Sequence, residues 1–131
     1  MSDSTGEGGL CAWRDPDGTI EIRGGAAALQ AMADALRGRQ PSRAGLARCE
    51  HAHDTWFDAL AIDVTAGPVT VVHQGSILVV EGAAVSLRLL GENVAHVASG
   101  RGGGHLHLEY FPDHPFFSPQ SAPMIVTLDS K

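Results

Sequence analysis

The sequence predicts an α+β fold: two tandem strand-strand-helix-strand units forming one mainly antiparallel sheet with two helices on one face. Three observations lead there. Short runs of strand character, Thr19 to Arg23 and Ile77 to Val80, each end close to a glycine. Each is followed by a segment whose apolar residues recur at helical spacing. The two stretches also coincide at a shift of 58 residues, which lays Ile20-Glu21-Ile22-Arg23-Gly24-Gly25-Ala26 on Leu78-Val79-Val80-Glu81-Gly82-Ala83-Ala84.

Residues 1–9 are small, polar and Gly-rich, too poor in apolar surface to offset the entropy of ordering, and are expected as a disordered tail. Leu10 to Arg14 and Thr19 to Arg23 then flank Asp15-Pro16-Asp17-Gly18, where Pro presets φ and Gly accepts a positive one, so a β-hairpin is expected. From Ala26 the apolar positions become Leu29, Met32, Ala33 and Leu36, an amphipathic helix ended by Gly38. Every one of them recurs, at Leu87, Leu90, Gly91 and Val94. The hairpin recurs too, as Val69 to Val72, the turn His73-Gln74-Gly75-Ser76, and Ile77 to Val80. Each unit adds a last strand, Ala59 to Val64 and His105 to Phe111, while Pro123 to Thr127 reads as a third copy of the leading strand. Arg39 to Asp58 has no clear period and is expected as an irregular insertion, and Pro112 to Ser121, with three prolines, as an ordered loop. One domain, residues 10–131, built of half-units 10–66 and 67–131, follows, because neither half could bury its core alone.

Nine Lys+Arg against fifteen Asp+Glu leave a net charge of −6, which disfavours binding to nucleic acid or to an anionic membrane surface. No apolar run approaches the roughly 18 residues of a membrane span. The first residues carry no basic or apolar stretch of a secretory signal, so the cytoplasm is expected, and with it Cys11 and Cys49 as reduced thiols.

The sharpest chemical constellation is His105-Leu106-His107-Leu108-Glu109-Tyr110. On a strand, His105, His107 and Glu109 project from one face while the leucines turn to the helices. Two imidazoles and a carboxylate are a ligand set for zinc or iron, and the competing reading is a solvated outer sheet face. His51-Ala52-His53-Asp54 in the insertion, His73 and His114 could add ligands only if their loops fold over that face. Cys49 lacks an orienting third residue for nucleophilic catalysis. Gly100 to Gly104 precedes a strand and not a helix, which excludes a phosphate-binding loop. Aromatic residues point instead to binding: Tyr110, Phe111, Phe116 and Phe117, with Asp113 among them, gather in the last strand and the Pro-rich loop. Phe116 and Phe117 are not expected both to point inward from so stiff a loop.

Taken together, Ile77-Leu78-Val79-Val80-Glu81-Gly82, the helix Ala84 to Ala98, the strand Gly104 to Glu109 and the closing Pro123-Met124-Ile125-Val126 resemble the immunity protein 32 family over about residues 77–128. The resemblance implies a small bacterial protein that neutralises a partner toxin, and it carries over no binding residue beyond His105, His107 and Glu109. The first unit departs from the pattern, having Arg48-Cys49-Glu50 and His51-Ala52-His53 but no His-x-His strand. A non-enzymatic inhibitor that needs no cofactor and masks its partner with the open sheet face and the Pro/Phe loop is therefore the first expectation. The alternative is a small metal- or ligand-binding protein or enzyme holding zinc or iron at His105, His107 and Glu109. A homodimer joined through an exposed edge strand is compatible with either.

Overall fold

The computed structural model describes residues 9–48, 55–101 and 104–129. Most of the expected tail, Cys49, and the His51-Ala52-His53-Asp54 cluster lie outside the described residues. In chain order the elements are β1 (Cys11–Arg14), β2 (Ile20–Gly24), α1 (Ala26–Leu36), β3 (Ser42–Gly45), β4 (Ala59–Val64), β5 (Thr70–Gln74), β6 (Ile77–Gly82), α2 (Ala84–Ala98), β7 (His105–Leu108) and β8 (Met124–Leu128). The α+β class and the two similar units hold. The strands, however, divide between two four-stranded mixed sheets, ordered β1-β2-β8-β7 and β3-β4-β6-β5, instead of joining in one.

The local reasons are those the sequence carries. Gly18 closes the first hairpin at φ +95°, and the Asp17 carboxylate accepts the Thr19 amide at 2.9 Å. Gly75, at φ +59°, opens the two-residue turn between β5 and β6. Ile20 and Ile22 are buried while Glu21 between them is half-exposed. In the second half three successive residues of β6, Leu78, Val79 and Val80, are buried, as in a central strand covered on both faces.

Each sheet takes a pair of strands from each half. β2 runs parallel to β8 with Ile20 opposite Met124, and β6 runs parallel to β4 with Leu78 opposite Leu60. The registers thus make Met124 the counterpart of Leu60, and β8 the counterpart of β4. Pro123 to Thr127 is not a third leading strand: it repeats the central strand of the other sheet. The same registers pair Leu108 with Ala44 as counterparts, and β7 with β3. β3 falls inside the stretch expected to be irregular, and Ser42-Arg43-Ala44-Gly45 carries no apolar alternation because this edge strand is largely exposed.

Two flanking segments tie the sheets together. The chain just before β4 lies along β1, the Arg14 amide donating to Thr55 and the Phe57 amide to Ala12. The chain before β8 does the same for β5, with the Val69 amide donating to Phe116 and the Ser118 amide to Val69. Two of the four sheet edges are thereby covered.

The helices pack on each other, α1 also against β2 and α2 against β6, β7 and β8, so α2 touches strands of both sheets. One continuous apolar core results, running from Ile20, Ile22, Leu29 and Leu36 to Leu78, Leu87, Leu90 and Met124. Gly91 sits at the helix crossing beside Ala33, its own counterpart in α1. Cys11 is disulfide-bonded, and no described cysteine is a free thiol. That corrects the expectation of a reduced thiol at Cys11.

Candidate partner-binding face

β7 is an edge strand of its sheet, at the end opposite β1. Its side chains alternate as expected: Leu108 is buried and Leu106 half-buried, while His105 and His107 are exposed on the other face. The two imidazoles lie 5.6 Å apart between ring centroids, and His105 Nδ1 is 3.4 Å from the Thr127 hydroxyl. The strand ends at Leu108, so Glu109, Tyr110 and Phe111 belong to the loop and not to the ladder. Among the described residues no set of three or more His, Cys, Asp or Glu is gathered closely enough to hold a metal ion, and His105, His107 and Glu109 do not converge on one.

The loop sorts the aromatic residues into two groups. Tyr110 and Phe111 are 40% and 53% exposed, and Asp113 beside them is exposed in the left-handed region at φ +67°. Phe116 and Phe117 are instead both in the core, at 6% and 1%. The expectation that one of them would stay outside fails for a specific reason. His114 Nδ1 accepts the amides of both Phe116, at 3.2 Å, and Phe117, at 3.0 Å, which turns the chain sharply. Both rings then lie against the imidazole, at 4.9 and 5.6 Å between centroids, and residues 116–118 continue along Val69. On its other side His114 meets Phe111 at 4.6 Å, and its amide donates to the Phe111 carbonyl at 3.0 Å. The organising residue of the loop is therefore His114, which the sequence offered only as a loop histidine. Burial pushes its pKa down. The signal that marks it in the sequence is a hydrogen-bonding side chain two and three residues before a buried pair.

A second charged grouping stands on the β1–β2 hairpin. The Trp13 indole donates to Asp15 at 3.0 Å, and a hydrogen bond to the Asp15 carboxyl, with burial, pushes Glu21 up to about 7. The Arg48 guanidinium stacks over Trp56 at 4.1 Å from the ring centroid. These contacts fasten the covered edge of β1 and leave no large apolar group exposed there.

Between α1 and the β3–β4 pair opens an apolar groove of about 280 Å³, lined by Leu10, Met32, Leu60 and Ile62 below and by small residues, Ala31 and Ala44 among them, at its rim. The counterpart positions in the second half hold Leu89 for Ala31, Leu106 for Ser42 and Leu108 for Ala44, and those leucines pack onto the core.

A family model described as Immunity protein 32 matches residues 19–68 and 77–129. Each matched stretch spans a strand, a helix and two further strands, one from each half. The match thus reaches the first half as well as the second, beyond the 77–128 stretch that carries the resemblance in the sequence. No curated protein and no solved structure matches the chain.

Proposed function

The chain belongs to the immunity protein 32 family, and from that premise we propose that it neutralises a partner toxin by binding it, without catalysis, through the end of the molecule built by β7 and the loop after it. The observation that carries this reading is the exposure of Tyr110 and Phe111. They are adjacent, large and apolar, and the contacts of Phe111 with His114 hold its ring in place. An aromatic ring fixed before binding, as that of Phe111 is, loses little conformational freedom on association, which is the character of an interface anchor. Asp113 and Glu109 add acceptors at its rim, and the net charge of −6 favours a basic partner surface. No helix of the described residues is long and apolar enough to cross a membrane.

The test is calorimetric titration of the purified protein with the product of the neighbouring open reading frame. Binding that weakens at least about tenfold in Tyr110→Ala/Phe111→Ala, and is unchanged in Val85→Ser, supports the assignment. Val85 is the control because it is equally exposed but lies on α2. Unchanged binding in the double variant moves the contact elsewhere, and an absence of binding in the unmodified protein removes this partner.

A further inference from the structure

We propose that His114 is a pH-sensitive latch: its neutral imidazole keeps the loop from Phe111 to Phe117 closed by accepting two main-chain amides at Nδ1, and protonation there opens the loop and disperses the Tyr110–Phe111 patch.

The geometry demands the neutral form. An imidazole nitrogen can accept a hydrogen bond only while its lone pair is free, and in imidazolium both nitrogens carry hydrogens. Nδ1 accepts from the amides of Phe116 and Phe117, so the one proton of the neutral ring is on Nε2. Adding a proton to Nδ1 deletes both bonds at once and sets an N–H against two N–H donors. Both bonds are partly buried, so losing them leaves two amides to be rehydrated by an opening of the loop.

The surroundings decide which way the balance falls. Three rings face the imidazole, those of Phe111, Phe116 and Phe117. An aromatic face attracts a cation, and this is the one contact that favours the charged form. Against it stand the loss of two acceptor bonds and the burial that lowers the pKa. The charged side chains nearest along the chain are Asp113 and Glu109, both exposed and in no hydrogen bond to His114. The chain packed against residues 116–118 is Val69 and β5, whose titratable group, His73, stacks on Phe57. No ion pair among these groups replaces the lost bonds. The latch therefore releases on the acid side of an ordinary histidine's titration.

The consequence for the contact patch follows from connectivity. Phe111 is held by its ring contact with His114 and by its carbonyl, which accepts the His114 amide. When the imidazole leaves, both holds on Phe111 loosen together. Regulation of binding rests on the proposed function above, whereas the latch itself does not.

The experiment uses amide hydrogen exchange by NMR on the full chain at pH 7.5 and pH 5.0, corrected for intrinsic exchange, with two variants. His114→Asn retains an acceptor that reaches the amides two and three residues ahead but does not titrate in this range. His114→Ala removes the acceptor at every pH. The expected result is a loss of protection of about tenfold or more at Phe116 and Phe117 in the unmodified protein on going to pH 5.0, less than about twofold in His114→Asn, and low protection at both values in His114→Ala. Equal protection of the unmodified protein at both pH values overturns the latch, as does a matching acid loss in His114→Asn. Titration with the partner then separates the two readings. Affinity that falls in acid for the unmodified protein but not for His114→Asn supports both. Loop opening without any change in affinity keeps the latch and refutes the patch as the contact.

Discussion

Replacing Gly91 by alanine sets two effects of opposite sign against each other, and the structure decides between them. Alanine is the better helix former by about 1 kcal/mol in a helix interior, so propensity alone makes Gly91→Ala stabilising. A Cβ on Gly91, however, comes to 2.9 Å from the Ala33 carbonyl oxygen, 2.8 Å from Arg37 Cγ and 3.1 Å from Leu36 Cβ. The Arg37 side chain can swing aside. The Ala33 oxygen cannot, because it already accepts the Arg37 amide at 3.1 Å at the end of α1. The helices must therefore separate at their crossing, and overpacking of this kind costs about 1–3 kcal/mol. Allowing for the propensity gain, Gly91→Ala is expected to destabilise by up to about 2 kcal/mol. Urea unfolding followed by circular dichroism measures it as a lower midpoint at unchanged slope. Arg88→Ala, on the exposed side of the same helix, reports propensity without packing and should move stability by less than about 0.5 kcal/mol. A Gly91→Ala protein more stable than the parent by the full propensity gain of about 1 kcal/mol would refute the close helix crossing.

Two further perturbations follow from the half-to-half comparison and from the acid pair. Ala44→Leu, which copies Leu108 from the counterpart strand, should fill part of the 280 Å³ groove and raise stability by about 1 kcal/mol, read as a higher urea midpoint; a lower midpoint contradicts the equivalence of the two positions. Glu21 has a folded pKa near 7 against an ordinary 4.5, so the folded state binds more protons between those values and stability falls as pH rises through that window. Glu21→Gln cannot ionise beside Asp15 and should gain on the parent at pH 8 but not at pH 4, by less than about 1 kcal/mol because the site is largely solvated. An equal difference at both pH values would dismiss the shared proton.

What the sequence made legible were the features set by near neighbours. The Asp15 to Gly18 turn, the start of α1 and the outward placing of His105 and His107 follow from turn chemistry and period alone, while the limits of α2 came with the family resemblance. Strand pairing was beyond it. The parallel contact of Ile20 with Met124 joins residues from opposite ends of the chain, and nothing in either segment says which sheet it enters. β3 was hidden because Ser42-Arg43-Ala44-Gly45 buries almost nothing and so leaves no apolar pattern. The loop was misjudged at Phe116 and Phe117 because the device that turns both inward is a single imidazole, and proline content described the stiffness without its direction.

The two halves agree in the core and diverge at the surface. Where both must share one core they agree: Leu29 and Leu87, Ile22 and Val80, and Leu60 and Met124 are all buried. Where they meet solvent they part. His107 of β7 corresponds to Arg43 of β3, and the buried Leu108 to the exposed Ala44. The second half thus has its edge strand seated by leucines and extends it into the loop in which His114 holds Phe111. The first half seats its edge strand with small residues and leaves the groove beside it. A rigid support is what an exposed aromatic patch requires, since any freedom in the strand beneath it would be lost again on binding. The leucines of β7, Leu108 buried and Leu106 half-buried, are therefore part of the support beneath the contact face proposed above.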